Sequence, residues 1–190
     1  LNRESAERFR VEDMYEPESS FYKKGLEYVA GIDEVGRGPL AGPVTVAAVI
    51  LKPHFFIAGL NDSKKVAPRR REEIAKKIHE TAVDISIVSL SPKEIDMRNI
   101  YAATMEAMYR AVRNLKIQPQ AVIVDAMPLH FPVPSLSLVH GDAKSASVAA
   151  ASIVAKVHRD HLMDEYDKVY PGYGFSQNKG YGTAEHIDAI

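Results

Sequence analysis

Cysteine is absent from this 190-residue chain. That excludes disulfide staples, thiolate-bound zinc, iron–sulfur clusters and a thiol nucleophile, so any metal must be held by oxygen or nitrogen. A long hydrophobic run is also missing. The longest apolar stretch, Gly38 to Leu51, is interrupted by Pro39 and Pro43 and is too short to span a bilayer. Residues 1–25 are rich in charge and show no signal peptide. The chain opens on Leu1 rather than Met, so residues are expected upstream. An excess of one charge is lacking too: 24 basic residues face 25 acidic ones, for a net charge of −1. As a global sum this argues against a nucleic-acid partner, but a sum conceals local patches. What remains is 46% hydrophobic and 26% charged, the profile of one globular domain with a real core.

Residues 1–26 read as a polar, acidic N-terminal extension with a short helix or two, anchored by Phe9, Met14, Tyr15, Phe21 and Tyr22. Strand signals follow at Glu27–Val35 and at Val44–Leu51, the second apolar enough to be buried on both faces. A charged helix over Ala67–Glu80 starts near Pro68. Ala82–Leu90 alternates as a strand, Ser91-Pro92 opens a short helix, and Ile100–Leu115 makes a longer one. Gln120–Asp125 and Ser135–Val139 are further strands. Ala143–Val169 reads as one long helix with an Ala/Ser-rich first half, Gly172–Gly182 as a loop, and Thr183 as the cap of a final helix. Three early strands and two late ones with helices between predict a single α/β domain with a mixed sheet.

The chemistry concentrates at element ends. Gly36, Gly38 and Ala41 match the G-x-G-x-x-A spacing of a dinucleotide-binding turn. Such a turn must open a helix onto the pyrophosphate, whereas Pro39, Gly42 and Pro43 intervene here and a strand is expected next. The alternative starts from Asp33 and Glu34, two carboxylates costly to bury unless something positive offsets them. They are either a strand end reaching solvent or part of a site. Neighbouring strand residues point to opposite faces, so both serve one site only if the strand ends there. Asp125 follows the run Ala121-Val122-Ile123-Val124 and is a turn residue or a ligand at a strand end. Asp142 precedes the Ala/Ser-rich helix and is an N-cap or a fourth carboxylate. Converged, the four would suit Mg²⁺ or Mn²⁺ and suit zinc poorly; spacing alone does not establish convergence.

Basic residues cluster between Asn61 and Lys77. Those on the helix fit i,i+4 pairs such as Glu72 with Lys76. Ser63 and Lys64 in the preceding loop are candidates for phosphate contact, as are Lys144 and Ser147 at the start of the long helix. His158 and His161 read as surface residues more readily than as a metal pair. Tyr181, between Gly180 and Gly182, is either packed on the core or offered to a partner.

Gly31-Ile32-Asp33-Glu34-Val35-Gly36-Arg37-Gly38-Pro39-Leu40-Ala41-Gly42-Pro43 resembles the signature of bacterial ribonuclease HII, the type 2 ribonuclease H. Asp62-Ser63-Lys64-Lys65, Val124-Asp125-Ala126, Gly141-Asp142-Ala143-Lys144, Ala150 to Val157 and Lys179-Gly180-Tyr181-Gly182-Thr183 match its other blocks in order, over residues 27–190. The resemblance implies an RNase H-like fold, a five-stranded mixed β-sheet flanked by helices, here preceded by the extension of residues 1–26. It implies a metal-dependent endonuclease that hydrolyses RNA in RNA–DNA hybrids and cuts 5′ of a single ribonucleotide embedded in duplex DNA, leaving 3′-hydroxyl and 5′-phosphate ends. It carries four acidic catalytic and metal-binding residues onto Asp33, Glu34, Asp125 and Asp142, with two divalent ions, Mg²⁺ or Mn²⁺. It makes Gly36, Arg37 and Gly38 readers of the 2′-hydroxyl, the group that separates RNA from DNA, and puts Tyr181 against the sugar at the junction. A cytoplasmic monomer acting on hybrid or ribonucleotide-containing duplexes, with no membrane association, is the expected working form. Two departures are visible. The family's chains usually continue into a short basic tail beyond the final helix, whereas this sequence stops at Ile190, and residues 1–26 match only loosely. The extension is too short for the substrate-binding N-terminal domain of ribonuclease HIII, and Arg37 favours the HII type. The rivals are a binding-only module for hybrids and a nicotinamide-dependent enzyme, the latter decided by whether a helix or a strand follows Gly38.

Overall fold

The structure, a computed structural model, describes residues 2–190. Two helices come first, α1 (Arg3–Asp13) and α2 (Glu16–Tyr22). The five strands are β1 (Val29–Val35), β2 (Val44–Ile50), β3 (Asp84–Leu90), β4 (Ala121–Asp125) and β5 (Ser135–Leu138), ordered β3-β2-β1-β4-β5 in one sheet. β1 runs antiparallel to β2 and parallel to β4; β2 and β3 are antiparallel, β4 and β5 parallel. A strand, β2, therefore follows Gly38, which removes the dinucleotide-binding reading of the glycine turn. Every residue of β2 is buried, as its uninterrupted apolar run predicts.

Side-chain alternation assigns the two faces. Ile32, Val46, Ala48 and Ile50 pack against Ala103, Ala107 and Met108 of α5 (Ile100–Arg113). Ala47 and Val49 face the other way, toward Ile74 and Ile78 of α3 (Pro68–Thr81) and Ala150, Ile153 and Val154 of α7 (Ala146–Val169). Residues Ala146–Ala155 are all buried, because small side chains let this helix lie close to the sheet. At Gly31 an added Cβ would fall 2.1 Å from the Ser147 carbonyl carbon.

Caps set the helix starts. Ser91 and Glu94 form a capping box on α4 (Pro92–Arg98), and Thr183 accepts from His186 N–H at the start of α9 (Ala184–Ala189). The expected long helix from Ala143 is broken. Ser145 adopts an extended conformation and accepts from Val148 N–H, so α7 begins at Ala146, and Gly141–Lys144 forms a separate single turn, α6. Asp142 is thus not the N-cap of the long helix. The expected loop at 172–182 contains a further turn, α8 (Phe175–Asn178). The N-terminal helices pack on the body: Val11, Met14 and Tyr15 join the α3/α7 core, and Phe21 packs with Val29, Ile123 and Val148.

Candidate active site

Parallel pairing of β1 with β4 sets the first geometry. Ile32 is in register with Val124, so the next residues, Asp33 and Asp125, emerge together at the strand ends. Asp33 lies on the α7 side, 5% exposed, accepts from Glu34 N–H at 2.8 Å and sits beside Ser152 of α7. Glu34 points to the opposite face, toward Arg37, whose Nη1 is 3.5 Å from its Oε1. Asp125 Oδ1 accepts from Gly141 N–H at 2.6 Å. That bond ties the end of β4 to α6 and brings in Asp142, also buried. Lys64, on a 3₁₀ turn over Ser63–Lys65, places its Nζ 3.9 Å from Asp142 Oδ2. Asp125 lies near enough to Asp33, Glu34 and Asp142 to act on the charge of each, although Asp33 and Glu34 start on opposite faces of one strand.

Their electrostatics are unfavourable as they stand. Burial, and then repulsion from Glu34 and Asp125, pushes the Asp33 carboxyl well above its usual range. Burial likewise raises Glu34, with Asp125 adding to the shift and Arg37 opposing it. Burial raises Asp142, followed by Asp62 and Asp125, against the pull of Lys64. Partial desolvation works against the Lys64 ammonium, but Asp142, Asp62, Asp33 and Asp125 outweigh it and hold its pKa above the usual value. Glu34 Oε2 is buried without any hydrogen-bond partner. An all-oxygen donor set with an unmatched buried acceptor suits hard divalent cations. Among the described residues no three His, Asp or Glu side chains are drawn closely enough together to enclose an ion as they stand.

A second group of loops borders the carboxylates. Gly36 has φ +103°, a conformation that favours glycine, and a Cβ there would lie 2.4 Å from the Pro43 carbonyl oxygen. The segment from Gly36 to Pro43 meets the loop after α8 through Gly180, whose carbonyl accepts from Leu40 N–H at 2.8 Å and Ala41 N–H at 3.2 Å. Tyr181 is thereby set beside Gly38, with its ring edge 3.8 Å from where a Gly38 Cβ would be, and 41% exposed. The structure thus brings Gly36, Arg37, Gly38 and Tyr181 to one edge of the carboxylate cluster.

The remaining candidates separate. Lys64 is open to solvent beside Asp142. Lys144 is exposed and lines a cavity of about 500 Å³ with Arg10, Asn61 and Lys65. Ser63 is buried, its hydroxyl oxygen 2.9 Å from that of Ser152. Ser147 is 1% exposed and donates to Glu18 Oε1 at 2.5 Å, so its hydroxyl is committed to the extension and turned away from any phosphate. His161 pairs with Glu72 at 2.8 Å. Three residues outside the predicted set prove central. Asp62 stands near Asp142, whose carboxyl it pushes up, and accepts from Lys64 N–H at 2.9 Å. Glu18, fully buried, holds the α6–α7 junction. Arg159, fully buried, joins the two loops. Arg159 follows Ser152 and Ala155, and precedes Met163, at helical spacing on the buried stripe of α7, a periodicity that could have placed it inward.

Comparison with known proteins agrees with this geometry. The family model for ribonuclease HII matches residues 30–190. A ribonuclease HII of Ligilactobacillus salivarius is 53% identical over 184 residues, covering 97% of this chain and 72% of that protein. Among solved structures, the ribonuclease H2 of Pyrococcus horikoshii superposes with TM-score 0.73 at 29% identity, over 84% of this chain and 82% of that one. The ribonuclease HII of Archaeoglobus fulgidus, solved with PCNA, gives TM-score 0.69 at 27% identity, over 85% of each chain.

Proposed function

The chain belongs to the ribonuclease HII family, endonucleases that hydrolyse RNA in RNA–DNA hybrids, and from that premise we propose which residues perform the reaction and on which finer substrate. Asp33, Glu34, Asp125 and Asp142 are the catalytic set and would hold two divalent ions, Mg²⁺ or Mn²⁺. When bound, such ions activate the attacking water and stabilise the leaving 3′-oxygen. Asp33 and Asp125, which emerge together at the ends of β1 and β4, would be the core ligands. Glu34 contributes its unpartnered Oε2, and Asp142 closes the side nearest Lys64. The observation that carries this reading is the set of buried, mutually repelling carboxylates with three raised pKa values and one orphaned oxygen.

The protein's own groups orient the substrate. Backbone groups of Gly36, Arg37 and Gly38 meet the ribose 2′-hydroxyl, which a bulkier turn would keep at a distance. The exposed Tyr181 ring lies against the sugar at the RNA–DNA junction and is indifferent to base identity. Lys64 and Lys144 contact flanking phosphates. We therefore propose cleavage on the 5′ side of a single ribonucleotide in duplex DNA, leaving 3′-hydroxyl and 5′-phosphate ends, by a monomer working in the cytoplasm. Among the described residues no helix is long and apolar enough to cross a membrane. The test is incubation, in Mg²⁺ and separately in Mn²⁺, with duplex DNA carrying one ribonucleotide beside an all-DNA duplex, the product ends mapped by their response to phosphatase. A single cut 5′ of the ribonucleotide, with no cut in the all-DNA duplex, is expected. Cleavage of both duplexes, or of neither, would refute the substrate assignment.

A further inference from the structure

Arg159 is buried in the middle of α7, and its guanidinium satisfies carbonyls from two separate loops. Its Nε donates to Pro43 O at 2.9 Å and its Nη2 to Ala41 O at 3.1 Å, both in the segment after β1. Its Nη1 donates to Lys179 O at 2.8 Å, in the loop after α8. The same group packs under the glycine turn: a Cβ on Gly36 would fall 2.6 Å from Nε. Its Cζ lies 6.0 Å from the Tyr181 ring centroid. One planar fork thus touches both halves of the surface assigned to ribose recognition, and no acidic side chain pairs with it among the described ion pairs. Burial works against its charge; the three carbonyl dipoles are what hold it there. Lysine, a point charge on a flexible stem, cannot reproduce that fixed three-way fork.

We propose that Arg159 is a positioning residue for ribonucleotide recognition: it locks the Gly36–Gly38 turn to the Tyr181 loop, so that the 2′-hydroxyl reader and the sugar platform close on one ribonucleotide as a single unit. This rests on the reading of those two loops given above. The effect is selective by substrate. A single embedded ribonucleotide offers one 2′-hydroxyl and must be placed by the loops alone. A continuous RNA strand offers one at every position, so register errors are tolerated.

The test compares Arg159→Lys, Gly180→Ala and Tyr181→Ala with the unaltered protein, on duplex DNA bearing one ribonucleotide and on a continuous RNA–DNA hybrid. Gly180→Ala reaches the same joint from the other side, because a Cβ there would lie 2.1 Å from the Ala41 carbonyl oxygen while Arg159 is left in place. It keeps the proposal testable should Arg159→Lys fail to fold, which far-ultraviolet circular dichroism reports. Both variants are expected to lose kcat/KM on the single-ribonucleotide duplex by on the order of 10–100-fold more than on the hybrid, the scale of a small misplacement of the reacting groups. Combining either with Tyr181→Ala should add little further loss. Equal losses on both substrates from Arg159→Lys and Gly180→Ala, beside a selective loss from Tyr181→Ala, would overturn the locking role and leave the loop reading intact. Equal losses on both substrates from Tyr181→Ala as well would remove the loop reading, and the locking role with it.

Discussion

Glu18 and Asp33 are both carboxylates buried against α7, and the protein treats them in opposite ways. Glu18 Oε1 receives the Ser145 hydroxyl, the Ser147 hydroxyl and the Ser147 N–H, at the positive N-terminal end of a 24-residue helix. Burial still raises its pKa and those three donors oppose the rise, with no second carboxylate among the causes. Asp33 accepts a single backbone N–H, and Glu34 and Asp125 stand nearby as like charges. The first arrangement fastens the extension to the α6–α7 junction and, through it, steadies the turn that carries Asp142. The second leaves charge uncompensated, which a purely structural site would not retain. Glu18 Oε2 is buried without a partner, as Glu34 Oε2 is, so the two sites differ less in depth or in orphaned atoms than in whether like charges crowd the carboxylate.

Substitutions should separate the two. The largest effect is expected from Asp33→Asn, which should lower the rate of hybrid cleavage by about 10³-fold or more, the equivalent of the several kcal/mol a metal centre supplies, with substrate binding retained in a gel-shift measurement. Near-normal turnover would dissolve the distinction. Glu18→Ala should do the reverse. It leaves three donors without their acceptor, at a cost of about 1–3 kcal/mol, or about 2–4 °C in Tm for each kcal/mol. The rate per folded molecule well below the melting temperature should be nearly unchanged.

The pH dependence follows from the direction of the Asp33 shift. Its carboxyl titrates higher in the folded chain than in the unfolded one, where 3.8 is the reference. Its contribution to stability is therefore complete below that reference and is lost as pH rises through the folded-state value. In chelator, the Tm of the wild type relative to Asp33→Asn should fall as pH is raised from acid toward neutral; a constant difference would mean that Asp33 carries no strained charge. The smallest effect belongs to Lys64→Ala. As a phosphate contact it should weaken duplex binding about uniformly across sequences and reduce the salt slope of log K by about 1, and an unchanged slope would detach Lys64 from the substrate.

Much of the fold was legible because it is local. The apolar run of β2, the Ser91 and Thr183 caps and the small residues of α7 each carry their own signal. The acidic cluster was legible only as separate strand-end residues, since convergence depends on β1 pairing in parallel with β4 roughly ninety positions later. Ser147 misled for the same reason. At a helix start it has the look of a phosphate ligand, and only the tertiary contact with Glu18 claims its hydroxyl. Arg159, an arginine among polar neighbours, reads as surface until its place on the buried stripe of α7 is followed. The net charge of −1 concealed a segregation in which carboxylates sit inside the site and Lys64 stands at its margin.

The most direct measurement of the central claim, that these carboxylates form a site for divalent cations, is the unfolding temperature of the wild type and of Asp33→Asn near neutral pH, each with Mg²⁺ and with chelator. The account predicts that Asp33→Asn is the more stable protein in chelator and that Mg²⁺ raises the Tm of the wild type while leaving the variant nearly unmoved. A wild type indifferent to Mg²⁺, and no more easily unfolded than Asp33→Asn in its absence, would contradict it.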